Sequence, residues 1–273
     1  MNRREGLGFS KTSSVSRNES ESLNLLTPST KNESSHGSSQ TTRGRLRVSE
    51  TFTSRQGEGI LTGTPSFFIR TTGCNLRCWF CDTPYASWKP SGKQLPIDSI
   101  LQQAKESGVK HVVLTGGEPM LAGSISTLSQ HLRSAGFHVT IETAGTVIRD
   151  VEVDLMSISP KFSSSTPDRD RHPAWHQRHE SRRLPLSIIQ QLIDQSSDYQ
   201  LKFVVDSSQD YPELLGFLDQ VRHDKNKVWV MPQGSTIEAL NRAVYWLKPW
   251  CEEHGFHFCE RMQIRWFGNR RGT

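Results

Sequence analysis

Along most of the chain, short apolar runs alternate with stretches in which apolar residues recur every three or four positions. The strand-like runs cover 46–52, 66–70, 111–115, 138–142, 153–159, 201–205 and 228–231. The first of them alternates apolar and polar residues, as a half-exposed strand does. Helical spacing covers 97–107, 125–135, 186–194, 212–221 and 237–250, and Gly108 and Gly136 stop the first two. Helices between successive strands imply parallel crossovers. The pattern therefore predicts an α/β fold with a mainly parallel sheet, a partial or modified (β/α)6 TIM-like barrel. The 138–142 and 153–159 runs are joined by a short linker without a helix.

Composition changes this picture at the N-terminal end. Hydrophobic content is 34%, low for a fully globular chain, and the deficit lies in residues 1–45, where Ser and Thr dominate and Phe9 is the only aromatic residue. A disordered tail is expected over 1–45, followed by one domain over 46–273. The formal charge of +5 is also localised: residues 1–45 carry seven Lys/Arg against four Asp/Glu, and residues 161–183 carry six against three. The rest is near neutral, so no direct nucleic-acid binding is expected. No run approaches the ~18 apolar residues of a membrane span. With no apolar signal-peptide region either, the expected location is cytoplasmic. Segment 162–182 is polar and lacks a clear period, so it is expected as a loop insertion. Its His172, His176 and His179 stand at near-helical spacing, which permits metal binding but suits a solvated loop better.

The candidate chemistry concentrates in Gly73-Cys74-Asn75-Leu76-Arg77-Cys78-Trp79-Phe80-Cys81-Asp82-Thr83, directly after the 66–70 run. Three of the five cysteines stand here as C-x3-C-x2-C, which fits metal ligation in a reducing compartment better than a disulfide framework. Three thiolates hold three corners of a cubane iron-sulfur cluster and leave the fourth iron open to another ligand. Cys251 and Cys259 read as buried thiols. Four further clusters follow strands: Gly116-Gly117-Glu118-Pro119, Glu142-Thr143-Ala144-Gly145, Ser159-Pro160-Lys161 and Met231-Pro232-Gln233-Gly234. Each alone is an ordinary turn. Together with the cysteine loop they fall at the C-terminal ends of parallel strands, where barrels of this kind build active sites. Ser54-Arg55-Gln56-Gly57-Glu58-Gly59 is another glycine-rich loop, suited equally to a turn and to close approach of a ligand. Arg70 ends an apolar run; alone it reads as a surface or salt-bridge residue, and over a cluster as a carboxylate binder.

C-x3-C-x2-C with an aromatic residue before the last cysteine, followed by Gly-Gly-Glu-Pro after the next strand, resembles the radical S-adenosylmethionine (SAM) superfamily. More narrowly, Gln56-Gly57-Glu58-Gly59, Gly73-Cys74-Asn75-Leu76, Cys81-Asp82-Thr83, Leu114-Thr115-Gly116-Gly117-Glu118-Pro119 and Ser159-Pro160-Lys161 together resemble the 7-carboxy-7-deazaguanine synthase family of the queuosine (7-deazapurine) pathway. The resemblance covers roughly Leu46 to the C-terminus. It implies a lyase that contracts 6-carboxy-5,6,7,8-tetrahydropterin to 7-carboxy-7-deazaguanine and releases ammonia. It further implies a 4Fe-4S cluster on Cys74, Cys78 and Cys81, whose open iron chelates SAM, and a 5′-deoxyadenosyl radical that abstracts hydrogen and later recovers it. The SAM contacts it implies are Phe80, Cys81, Asp82, Gly117, Ser159, Pro160, Lys161, Met231, Pro232, Gln233 and Gly234. Mg²⁺ falls to Thr83, a hard oxygen donor. The substrate falls to Arg55, Gln56, Gly57, Glu58, Arg70 and Thr115, while Glu118 is as much structural as direct. The implied partners are an external electron donor of flavodoxin or ferredoxin type and a second copy in a homodimer.

Some members of that family end in a proline that touches the substrate. This chain ends Phe267-Gly268-Asn269-Arg270-Arg271-Gly272-Thr273, so no C-terminal contact is carried across. Two alternatives compete. Another small radical SAM enzyme, such as a glycyl-radical activase, shares the cysteine spacing but has no need of the 56–59 loop or Thr83. A non-catalytic zinc module would recruit one of the ten histidines as fourth ligand, but zinc sites usually bring two C-x2-C pairs.

Overall fold

The computed structural model describes residues 44–273; the tail expected to be disordered lies, but for its last two positions, outside the described residues. Strand β1 (Arg45–Arg55) pairs antiparallel with β2 (Pro65–Thr71) and with the short β3 (Lys93–Pro96). From β2 onward the neighbours run parallel, through β4 (His111–Gly116), β5 (His138–Thr143), β6 (Leu155–Ile158), β7 (Tyr199–Val205), β8 (Val228–Pro232) and β9 (His257–Phe258). The sheet order is β3-β1-β2-β4-β5-β6-β7-β8-β9, and no ladder joins β3 to β9 among the described residues. Six consecutive parallel strands, β2 and β4 to β8, form the partial barrel that the alternation predicts, and β1, β3 and β9 extend it.

Helices α1 (Ile97–Glu106), α2 (Ile125–Ser134), α3 (Pro173–Glu180), α4 (Leu186–Gln195), α5 (Tyr211–Leu218), α6 (Ile237–His254) and α7 (Met262–Phe267) complete the fold. α1 buries Ile97, Ile100 and Ala104 one turn apart, the spacing that puts them on one face. α6 is capped at both ends. The Thr236 hydroxyl accepts the Ala239 N–H at 3.2 Å, and Gly255, at φ 67°, ends α6 beyond the expected Trp250. No helix is long and apolar enough to cross a membrane among the described residues.

The two faces of the sheet differ, and the difference places the site. Phe67, Ile69, Val112, Leu114, Val139, Ile141, Met156, Ile158, Leu201, Phe203, Val228 and Val230 stand in register across the strands and pack with the helices as the core. Because side chains alternate along a strand, their neighbours form the opposite face, and these include Arg70, Thr115, Glu142, Ser157, Gln200 and Lys202. That polar face reaches the C-terminal strand ends.

Segment 162–182 departs from the expected solvated loop. It contains α3, and His179 is fully buried. Its Nδ1 accepts the Arg77 backbone N–H at 3.1 Å, and its Nε2 meets Ser165 Oγ at 2.9 Å. Burial holds its pKa down, at about 4, so the ring is a neutral structural acceptor. The three histidines do not form a metal site: His172 faces the Trp88 ring and His176 Nδ1 meets the Pro167 carbonyl at 3.0 Å.

Candidate active site

The cysteine loop is stapled by its own backbone at the end of β2. Gly73 N donates to Ala86 O at 2.8 Å, Glu118 N to Gly73 O at 2.8 Å, and Gly117 N to Thr71 O at 3.3 Å. Gly73 takes φ 104°. A Cβ on Gly117 would collide with the carbonyl oxygens of Gly73 and Ala86. The Gly116-Gly117-Glu118 turn therefore lies directly against the cysteine loop, and only a residue without a side chain fits there. Glu118 is structural. Its carboxylate accepts from Met120 N at 3.0 Å, Thr143 Oγ1 at 2.8 Å and Ala144 N at 2.8 Å, and ties the turn after β4 to the end of β5. Burial raises its pKa in spite of these donors.

Cys74, Cys78 and Cys81 are all free and half-buried, while Cys251 and Cys259 are buried. Leu76 N points at Cys74 Sγ from 3.4 Å, and Ser87 Oγ lies 3.1 Å from Cys81 Sγ. Burial pushes the Cys74 thiol up to about 12 and the Cys78 thiol up to about 11, so an ion that binds them must displace their protons. No three His, Cys, Asp or Glu side chains gather as a metal-binding group among the described residues. A cubane holds each cysteine on a separate iron, so its thiolates need not converge on one point. Three free, half-buried thiols on a single loop, with an amide N–H turned to one sulfur, fit such a cluster.

The 54–59 loop reaches the polar face by an unexpected route. β1 runs against β2, so Gln56 and Glu58 leave β1 beside the start of β2, at the edge opposite the cysteines. Their side chains nevertheless meet the polar face. Gln56 Nε2 donates to Glu142 Oε1 at 3.1 Å, Thr115 Oγ1 to Glu142 Oε2 at 2.9 Å, and Lys202 Nζ to Glu58 at 2.7 Å and Glu142 at 3.4 Å. Arg261 extends this network to the cysteine loop. It donates to Glu58 Oε1 at 3.3 Å and to the Gly234 carbonyl at 2.7 Å, and it pairs with Asp82. Burial alone would raise the Glu58 carboxyl, but Lys202 and Arg261 hold it far below the usual carboxylate range. Burial likewise opposes charge on Lys202 and Arg261, yet Glu142 and Glu58 raise the first and Asp82 and Glu58 the second.

Arg70 takes up the salt-bridge reading. Its Nε donates to Glu50 Oε1 at 2.8 Å, while its two terminal nitrogens make no hydrogen bond among the described residues. The same Glu50 carboxylate takes Tyr85 OH at 2.8 Å and Arg271 Nε at 2.7 Å. Lys161, whose pKa burial lowers, donates to Ser159 O at 2.6 Å and Ser159 Oγ at 2.5 Å. Gln233 N bonds Val205 O at 2.8 Å, which anchors the segment after β8. Thr83 Oγ1 stands 3.7 Å from Cys81 Sγ, and the Phe80 ring lies edge-on to Trp79 at 5.4 Å. Arg55 is exposed and is not drawn into this network. Glu50, Tyr85, Lys202, Arg261 and Arg271 were not singled out as site residues from the sequence, nor was Gln263, whose Nε2 donates to Glu58 Oε1 at 2.6 Å; Glu142 was included only as the first residue of the cluster after the 138–142 run. For Lys202 one signal was present: a lysine inside the otherwise apolar 201–205 run.

Residues 68–183 match the radical SAM superfamily model. A Rhodopirellula baltica protein named 7-carboxy-7-deazaguanine synthase is 55% identical over 237 residues, covering 87% of this chain and 92% of that protein. A Halobacterium salinarum protein of the same name is 40% identical over 230 residues, covering 80% of this chain and 89% of that one. The solved structure of QueE from Escherichia coli superposes with a TM-score of 0.61 at 22% identity, over 83% of this chain and 100% of that one, a likeness of fold. The chain belongs to the 7-carboxy-7-deazaguanine synthase family of the radical SAM superfamily.

Proposed function

We propose that the chain contracts the ring of 6-carboxy-5,6,7,8-tetrahydropterin to 7-carboxy-7-deazaguanine with release of ammonia, within one catalytic domain that starts near Leu46. The observation that carries this reading is Arg261. It bonds Glu58 of the glycine-rich loop and Asp82 of the cysteine motif, which supports reading the two most discriminating parts of the family pattern as one site.

Cys74, Cys78 and Cys81 would hold the 4Fe-4S cluster, which when bound supplies the electron for reductive cleavage of SAM. Around it, Gly117 lets the turn after β4 lie against the cysteine loop, and Phe80, Asp82, Ser159, Pro160, Lys161 and the 231–234 segment would border the space for SAM. Arg70 presents its free guanidinium edge to the substrate carboxylate, a charge-assisted pairing. Gln56, Thr115 and Glu142 meet the polar rim of the flat heterocycle, with Glu142 accepting from its N–H groups. Lys202 and Arg261 keep Glu58 ionised, so that loop does not exchange protons with the substrate at neutral pH. Thr83 would contribute a hydroxyl to Mg²⁺, a ligand type suited to that cation. A cytoplasmic homodimer and an external one-electron donor complete the reading.

Anaerobically reconstituted protein, given substrate, SAM and reductant, should release ammonia and form the deazaguanine. A fully loaded, dithionite-bleachable cluster that yields neither product would reject the assignment.

A further inference from the structure

We propose that segment 162–182, together with Trp79, is the docking surface for an acidic one-electron donor protein. This rests on the reading that Cys74, Cys78 and Cys81 hold a redox cluster. Each reduction moves one electron from the donor to the cluster, and the donor ends one electron more oxidised. Electron transfer slows steeply with distance, so the donor must approach the outer side of the cysteine loop.

Trp79 marks that side. It directly follows Cys78 and is 52% exposed. Its backbone N–H donates to Ser165 O at 3.1 Å and its indole N–H to Ser164 O at 2.7 Å, which ties it to the segment. The Trp88 indole donates to Cys78 O at 2.9 Å while its ring lies 4.8 Å from that of His172. The Arg77 guanidinium sits 3.8 Å from the centre of the Trp175 ring. The segment is thus packed onto the backbone that carries the cysteines, and it takes no part in the network on the polar face of the sheet.

Its charge points to the partner. Residues 161–183 hold six Lys/Arg against three Asp/Glu. Lys161 is occupied by Ser159, and Arg183 by Glu180 and Glu213. Arg169, Arg171 and Arg182 are exposed and form no ion pair among the described residues. An exposed aromatic tied to a segment that carries unpaired arginines has the composition of a protein interface. A positive surface also draws in a negative partner and speeds its association.

The test compares wild-type holoenzyme with R169E/R171E/R182E and with K105E/K110E/K225E. The second variant reverses as many charges near the starts of β4 and β8, at the opposite edge of the sheet. A purified acidic flavodoxin is titrated calorimetrically, and bleaching of the cluster absorption is followed with reduced flavodoxin and separately with dithionite. The arginine variant should weaken flavodoxin binding and slow flavodoxin-driven bleaching by about 10-fold or more at low salt, with binding by wild type fading above ~0.15 M salt. Its dithionite-driven bleaching should stay within about twofold of wild type, and the lysine variant should match wild type throughout. Unchanged flavodoxin binding in the arginine variant, or an equal loss in the lysine variant, would overturn the proposal. So would binding of transfer RNA that depends on the three arginines while flavodoxin binding does not. A loss of deazaguanine formation with dithionite would instead count against the proposed reaction and leave the docking result standing.

Discussion

Replacing Arg261 by Met keeps most of the apolar stem and removes the guanidinium that joins three segments. The native side chain is 8% exposed, pairs with Asp82, and bonds Glu58 at 3.3 Å and the Gly234 carbonyl at 2.7 Å. Stranding one charge of a buried pair costs about 3–5 kcal/mol. Glu58 is not stranded, because Lys202 at 2.7 Å and Gln263 at 2.6 Å remain. The Asp82 side chain is 38% exposed, so water screens its share. What remains is a carbonyl left without its donor, about 1–3 kcal/mol, plus a fraction of the Glu58 pairing. The expected loss is therefore about 2–3 kcal/mol, read as a lower urea midpoint for anaerobic holoprotein. Because Asp82 and Gly234 border the proposed SAM space, the Kd for SAM should rise about 10-fold as well, equivalent to ~1.4 kcal/mol. A stability change below about 0.5 kcal/mol, the scatter of an ordinary surface substitution, together with unchanged SAM affinity would refute the claim that Arg261 joins the two halves of the site.

Arg70→Ala should raise the KM for the carboxypterin about 10- to 100-fold, the value of a charge-assisted hydrogen bond of ~1.5–3 kcal/mol, with the cluster spectrum intact. An unchanged KM would mean that Arg70 serves Glu50 alone. Gly117→Ala forces a methyl group into the carbonyls of Gly73 and Ala86, so iron retained after reconstitution should fall well below wild type; equal iron content would show that this close approach is dispensable. For His179 the folded pKa is depressed to about 4, so the unfolded chain binds the extra proton first. Its stabilising share is complete above about pH 6.5 and is lost as pH falls from there through 4. His179→Gln keeps an acceptor for the Arg77 N–H and should flatten that part of the stability profile. An identical profile would show that His179 does not stay neutral across the window.

The strands on which the site is built were legible because apolar β-runs bounded by glycine and polar clusters announce themselves, and the parallel alternation put five such clusters at one edge. The opposite face was harder to read. Lys202 looks like a lone exception in an apolar run until register places Gln200 and Lys202 on the same face as Ser157 and Glu142. Arg261 and Gln263 follow the last long helix without any period, and only the folding-back of the C-terminal segment brings them to Glu58. The 56–59 loop was recognised by its residues, but its route from the far edge depends on the antiparallel pairing of β1. α3 escaped because Trp175 and His179 pack against Arg77 rather than the apolar core, so the helix shows no hydrophobic stripe.

The central claim is that the thiol loop and the Gln56–Glu142–Lys202–Glu58–Arg261–Asp82 network act as one site on a carboxylated tetrahydropterin. The most direct measurement supplies reconstituted wild-type protein with that substrate in large excess over SAM and counts products against SAM remaining. The account predicts deazaguanine and ammonia in equal amounts, many per SAM, with SAM recovered at the end. Cleavage of SAM to 5′-deoxyadenosine without deazaguanine would contradict it.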